Sequence, residues 1–361
     1  MKKLLLTLAV SVLAVSAVKA QPVVVDIGGS TAGRTAVHNN IVAMLTGLTY
    51  AYDGTSGSPA KATHAIYHGT FGGKDYIIRT YWSGSVNGIT PLTAGTQLTQ
   101  LIDKTVLGLS GGEFIASPTL APASAETVQE IGFSDIFAST VHETATSVED
   151  EVAVITFKWY ANEGTTGITN VTPSLVRNLY KSSEAPKWVF TGNPADTDTV
   201  FPIGRDASSG TRGTAMAESG YGNVATVDQY TATVSGNEVT GITYVGNGGF
   251  SSGSNVKGVM NSTYSGGVLI GYLGASDFAT AGGVELAWNG VTYSTAAIQN
   301  GSYSFWGYLH MNRMNSLTGD GLSFYNALKT NISTDPLDSG VLNIGTMNVA
   351  RDFDGAPIYD L

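Results

Sequence analysis

The sequence predicts an α/β protein of two domains, on three observations. The chain has 361 residues, 42% hydrophobic and 13% charged. That is enough apolar side chain for a sizeable core and too little charge for a disordered chain. It passes early from a short apolar strand, Val23–Ile27, through a glycine loop, Gly28–Gly33, into a helical pattern at Val37, Ile41, Val42, Met44 and Leu45. Strand, turn and helix in that order begin α/β units. Further along, apolar strand-like runs continue to alternate with short helical ones.

The first twenty residues precede the fold. Lys2 and Lys3 form a positive head, Leu4 to Val18 is a largely apolar run, and Val18-Lys19-Ala20 places small residues at the −3 and −1 positions of a signal-peptidase site. The run is short for a membrane span and its flanks are those of a secretory signal. Cleavage after Ala20 removes three lysines and leaves 341 residues, with 15 basic and 28 acidic side chains. An exported chain meets little ATP or NAD. The absence of cysteine excludes disulfides, thiolate metal sites and cysteine nucleophiles. The acidic balance offers no basic field to displace counterions from nucleic acid.

The elements follow in order. Tyr76 to Tyr81 reads as a strand before Ser83–Gly88, with a helix expected over Ile89–Leu101. Gly108 to Glu130, rich in Gly, Ala, Ser, Pro and Thr, reads as a surface insertion. Val152 to Tyr160 is a strong strand, and Pro173 to Tyr180 a short helix with Thr172 as N-cap and proline at its first position. Phe201–Gly204 is a brief strand, Gly204–Gly213 a polar loop, and Thr214–Ser219 the start of a helix. Thr226–Tyr244 is Thr-rich with β character. Gly266–Gly274 is a buried strand, Ser304–Met311 the last strong strand, and Leu322–Ile332 a closing helix.

Three glycine-serine-threonine loops carry the chemistry. Gly28–Thr35 (GGSTAGRT) nearly spells the phosphate loop of nucleotide hydrolases, but Arg34 stands where that loop needs lysine. The underlying physics survives the departure. A glycine loop opening a helix aims free N–H groups, at the positive end of the helix dipole, at one point. Taken alone, the loop reads better as an ordinary turn with a Ser/Thr cap. Ser83–Gly88 offers similar donors after a strand. In Gly204–Arg212, Arg205 stands four residues before a Ser209-Gly210-Thr211 turn. Its guanidinium is a planar fork suited to a tetrahedral oxyanion.

With these residues the chain resembles the periplasmic phosphate-binding proteins of ABC importers, the type II periplasmic substrate-binding fold. Arg205-x-x-x-Ser209-Gly210-Thr211 matches the family's R-x-x-x-S-G-T loop, and Gly29-Ser30-Thr31 its N-terminal loop. Gly84–Gly88 matches its G-S-S-G-G loop with two changes. Val171–Trp188 and Gly267–Gly274 look like its later helix and strand segments. The resemblance implies two lobes of mixed, mostly parallel sheet flanked by helices, with the ligand cleft between them. Lobe one would comprise 21–155 and 307–361, and lobe two 156–306. It further implies that Thr31, the Ala32 N–H and Ser85 donate to the anion from lobe one. Arg205, Ser209, Gly210 and Thr211 would do so from lobe two. The family's aspartate, which accepts the proton of phosphate, has two candidate positions. Ala116-Ser117-Pro118 has proline where the acid is needed, and Phe133-Ser134-Asp135 lies beyond the insertion. Asp135 is chosen, because Glu130–Phe133 gives it a strand to end. The expected protein is a periplasmic monomer that captures inorganic phosphate for an inner-membrane ABC permease, without cofactor, metal, nucleic acid or covalent chemistry. The alternatives are the same fold binding a sulfate-like oxyanion, and a secreted structural or surface protein that keeps the fold without tight anion binding.

Other constellations carry less. His64 and His68 lie in a strand-like segment with no third metal ligand in view. The G-x-S-x-G spelling occurs at Gly108–Gly112 and Gly249–Gly253. Neither has the strand, turn and helix that a nucleophile elbow requires, so a serine hydrolase is disfavoured. The five tryptophans show no stacking periodicity and read as core or surface.

Overall fold

A computed structural model describes residues 20–53, 59–95, 98–102, 112–114, 120–122, 129–141, 147–222 and 225–361. The signal segment up to Lys19, most of the 108–130 insertion, the Ala116–Pro118 alternative and most of the Gly108–Gly112 spelling lie outside those residues. Among the described residues no helix is long and apolar enough to cross a membrane.

One twisted path of strands runs through the molecule. Val23–Gly29 lies between Lys74–Trp82 and Ile131–Ser134 and is parallel to both. His64–Phe71 and Thr46–Tyr52 continue the sheet outward from Lys74–Trp82 by antiparallel pairing. On the other side Ile131–Ser134 pairs with Trp306–Met314, which pairs in turn with Ser147–Ala161. That fifteen-residue strand changes partner along its length. Residues 147–156 pair with Trp306–Met314, whereas Phe157–Ala161 pairs with Val268–Gly274. Beyond Val268–Gly274 lie Thr199–Pro202 and Ala185–Pro186. The two long antiparallel strands therefore join two halves of sheet, each with its own helices. This is the two-lobed α/β architecture that the sequence predicts.

Burial explains why these strands sit centrally. Val152 to Ile155, Phe157 and Trp159 have no exposure, as expected for strands covered on both faces. Around them Trp159 stacks on Trp288 and Phe305. Trp306 is equally buried, while Trp188 remains half exposed. The helix Pro173–Ser182 begins as its sequence predicts: Thr172 Oγ1 accepts from the Leu175 N–H at 3.3 Å.

Three expectations change. The helix expected over Ile89–Leu101 is Val86–Ala94. Gly95 ends it in the left-handed conformation (φ 64°), and Thr99–Leu101 is a strand. The helix expected from Thr214 is Gly210–Glu218, because Ser209 caps it by accepting the Arg212 N–H. Within 108–130, Gly112–Phe114 pairs in parallel with Tyr50–Tyr52, and Leu120–Pro122 pairs with Thr99–Leu101. That stretch, expected as a surface insertion, thus carries two short strands among the described residues.

Candidate ligand-binding site

Parallel register brings three loops to one edge. Gly29 is aligned with Trp82 on one side and Phe133 on the other. The chain therefore leaves all three strands at the same level, where open α/β sheets present their sites. The loops are also tied together. Ser83 and Gly84 N–H groups donate to the Gly29 carbonyl at 3.1 and 3.0 Å, and the Ser30 N–H donates to the Phe133 carbonyl at 2.8 Å. Gly29 has φ 128°, and a Cβ there would overlap the Phe133 carbonyl oxygen, so only glycine permits this approach. The wall so formed presents Thr31 and Ala32 before the helix Arg34–Met44, Ser85 before the helix Val86–Ala94, and Asp135 directly after Ile131–Ser134.

The facing wall is the Arg205 loop. The Arg205 N–H donates to the Tyr272 hydroxyl at 3.2 Å, Nε to the Phe250 carbonyl at 3.1 Å, and a terminal nitrogen to the Ser251 carbonyl at 2.9 Å. The guanidinium is buried and fixed. The Gly249–Gly253 segment, disfavoured above as a nucleophile elbow, thus supplies the carbonyls that hold it. Gln229 and Arg212 both donate to the Arg205 carbonyl, which pins the loop from behind. Ser209 Oγ caps the helix Gly210–Glu218 by accepting from the Arg212 N–H at 3.3 Å. The two walls meet where the Val86 N–H donates to the Ser208 carbonyl at 3.3 Å.

At that meeting point lies the Asp135 carboxylate, 1% exposed. It accepts from the Ser85 hydroxyl on its own side and from the Thr211 hydroxyl at 3.3 Å across the cleft. Burial pushes its pKa above the ordinary carboxylate value. Its own N–H, the Arg205 charge and the hydroxyls of Ser30 and Thr211 pull the other way. A Cβ on Gly210 would overlap both Asp135 Oδ1 and Ser85 Oγ; glycine is what lets the helix end approach the carboxylate.

Thr31, Ala32, Arg205 and Thr211 line one small cavity of about 10 Å³ together with Gly253, Tyr272, Gly274, Ser276 and Asp277. That volume admits about one water. Ser85, Asp135 and Gly210 adjoin it through their contacts with Thr211 and with each other. Two of the expected donors have partners within the protein: the Ala32 N–H donates to Ser30 Oγ at 3.1 Å, and the Ser85 hydroxyl to Asp135. Ser209 lies on a neighbouring cavity, and its hydroxyl oxygen serves the helix cap.

Four contributors escaped the sequence reading: Ser30, Tyr272, the Phe250-Ser251 carbonyls and Asp277. Asp277 follows the Val268–Gly274 strand in the turn-helix Ala275–Phe278. The available signal was the small polar run Gly274-Ala275-Ser276-Asp277 at a strand end, the same pattern that marked the other loops. Burial raises the Asp277 pKa against the pull of Lys257, Arg205, Arg34 and Lys61.

His64 is structural. His64 Nδ1 contacts Asp53 Oδ2 at 2.7 Å and its ring stacks on Tyr81. No cluster of metal-ligating side chains occurs among the described residues. The site therefore offers a fixed guanidinium, helix N-termini, hydroxyls and one deeply buried carboxylate. That set can bind a dehydrated oxyanion and sense whether it carries a proton.

No protein-family model and no curated protein matches this chain. Solved structures do. A protein from Clostridium perfringens, assigned as a phosphate ABC transporter substrate-binding protein and solved with bound phosphate, superimposes with a TM-score of 0.54 at 17% identity. The match covers 89% of this chain and 99% of that one. An ABC-type phosphate transport receptor from Vibrio cholerae gives 0.50 at 13% identity, over 87% of this chain and 96% of that one. Across nearly its whole length, this chain has the two-lobed α/β fold found in these two transport proteins.

Proposed function

We propose that this chain is an exported receptor that captures inorganic phosphate between its lobes and delivers it to an ABC permease of the inner membrane. It performs no covalent chemistry. The observation that carries the reading is Asp135, buried between the walls and held by hydroxyls from both, within reach of the Arg205 charge. The fold of the two phosphate-transport proteins supports it.

The chemistry follows from proton counting. Phosphate near neutral pH carries at least one proton, whereas sulfate carries none. A buried carboxylate accepts the phosphate proton and meets sulfate with lone pair against lone pair. A repulsive, unpaired buried contact costs several kcal/mol, so discrimination of ~10³-fold is within range. The acidity of the whole chain does not oppose this. Hydrogen bonds act at about 3 Å, while the distant field is screened over ~8 Å.

Thr31, Ala32, Ser85 and Asp135 bind from lobe one, and Arg205, Gly210 and Thr211 from lobe two, where Ser209 caps the helix that carries Gly210 and Thr211. Lobe one comprises 21–155 and 307–361, and lobe two 156–306. The partner exchange along Ser147–Ala161 supports a hinge there. Closure of the lobes around the ion is then the signal for the permease. Removal of a signal peptide after Ala20 places the receptor in the periplasm.

Calorimetric titration with phosphate and with sulfate tests the reading. Tight phosphate binding without sulfate heat is expected. Equal binding of both would replace phosphate by tetrahedral oxyanions in general, and no heat with either would leave a structural protein.

A further inference from the structure

The small cavity has a larger neighbour. Thr31, Gly253, Ser276 and Asp277 line both, and the second chamber has a volume of about 320 Å³. Its remaining wall carries Arg34, Lys61 and Lys257 among serine, threonine and asparagine side chains, with no aromatic or branched aliphatic residue. Three cations face one carboxylate, Asp277, in a chain whose net charge is −10. A positive pocket in an acidic protein is a local field with a purpose to be explained.

Arg34 sharpens the point. It opens the helix Arg34–Met44 from the GGSTAGRT loop, and the phosphate reading gives it no role. One terminal nitrogen donates to the Ala62 carbonyl at 2.9 Å. Its Nε is buried with no hydrogen-bond partner among the described residues. Burial, aided by the nearby Arg205 charge and opposed by Asp277, lowers the guanidinium to about 10. Two guanidiniums on facing walls of a cleft, one of them incompletely paired, call for an anion that spans both. Lys257 Nζ donates to Thr280 Oγ1 at 3.2 Å, which holds it at the rim, and Lys61 is exposed at the end of the turn Pro59–Lys61.

We propose that this chamber is a second anion subsite, and that the cleft takes a condensed inorganic phosphate with one phosphoryl group in the small cavity and the next between Arg34, Lys61 and Lys257. The proposal rests on the oxyanion reading of the small cavity and extends it from one phosphoryl group to two. The chamber offers no flat apolar face on which a nucleoside base could stack. Its three cations against a single carboxylate favour a second phosphoryl group over the uncharged hydroxyls of a polyol.

Calorimetry on the mature exported chain, titrated with orthophosphate, pyrophosphate and glycerol phosphate, tests it. The comparison protein is the double variant Lys61→Ala with Lys257→Ala, whose unfolding midpoint verifies its fold. Pyrophosphate is expected to bind at least as tightly as orthophosphate. In the double variant it should weaken roughly tenfold or more while orthophosphate stays within about twofold. Pyrophosphate binding about 100-fold weaker than orthophosphate, indifference of pyrophosphate to the lysine pair, or glycerol phosphate binding as tightly as pyrophosphate would each overturn it. Lysine-dependent pyrophosphate binding without orthophosphate binding would preserve the subsite and end the orthophosphate reading. No binding of either ends both. A charge reversal, Lys61→Glu, repeats the test from the exposed rim.

Discussion

Arg205 is flanked by two carboxylates with opposite surroundings. Asp135 is enclosed by hydroxyls, with Ser85 and Thr211 donating to it, and its corner is closed. Asp277 is surrounded by the charges of Lys257, Arg205, Arg34 and Lys61 and opens on a chamber of about 320 Å³. Burial raises both pKa values. The difference lies in what opposes burial. Hydroxyls can rotate to donate or accept, so the Asp135 corner can read a proton on the ligand. Fixed cations cannot, so the Asp277 corner can attract charge and distinguish little else.

The predictions test that division. The largest effect is expected from Arg205→Ala, which removes the charge between the corners. Charge-assisted hydrogen bonds contribute ~1.5–3 kcal/mol, so phosphate should weaken at least tenfold in calorimetry; unchanged affinity would remove Arg205 from the site. Next, Gly210→Ala places a methyl group against Asp135 Oδ1 and Ser85 Oγ. Overpacking of ~1–3 kcal/mol should weaken phosphate while leaving the lysine-lined chamber untouched. Normal phosphate binding by the Gly210→Ala variant would show that the corner is loose.

Asp135→Asn should mainly relax selectivity, so that sulfate binds; complete sulfate exclusion in the mutant would place the discriminating acid elsewhere. The same carboxyl predicts a pH dependence. Its raised pKa means that it takes up a proton at a pH above the usual carboxylate range. As pH falls through that value the protonated group donates to sulfate instead of repelling it. Sulfate binding should therefore appear on acidification of the native protein and be independent of pH in Asp135→Asn. The smallest effect is expected from Ser209→Ala, whose oxygen caps a helix. It should cost ~1 kcal/mol of stability, read as a lowered unfolding midpoint.

How much of this was legible beforehand differs by element. The strand-loop-helix opening, the Thr172 cap and the strand before Asp135 are written in consecutive residues, through apolar spacing and capping side chains. The end of the helix Val86–Ala94 was missed because Gly95 is one glycine among 45, and only its left-handed φ marks it as a stop. Asp277 was missed although its local pattern resembles the others, since nothing in Gly274–Asp277 tells that this strand end faces Arg205.

The sequence alone determined the kind of parts: an α/β chain, polar glycine loops at strand ends, and an arginine four residues before a Ser-Gly-Thr turn. Those properties arise from hydrogen bonding and periodicity within a few residues. Tertiary structure alone decided which parts meet. The alignment of Gly29 with Trp82 and Phe133, the carbonyls of Phe250 and Ser251 on Arg205, and the gathering of Arg34, Lys61, Lys257 and Asp277 join segments tens to hundreds of residues apart. Such meetings are set by strand register and by the burial of the whole core, which no short stretch of sequence contains.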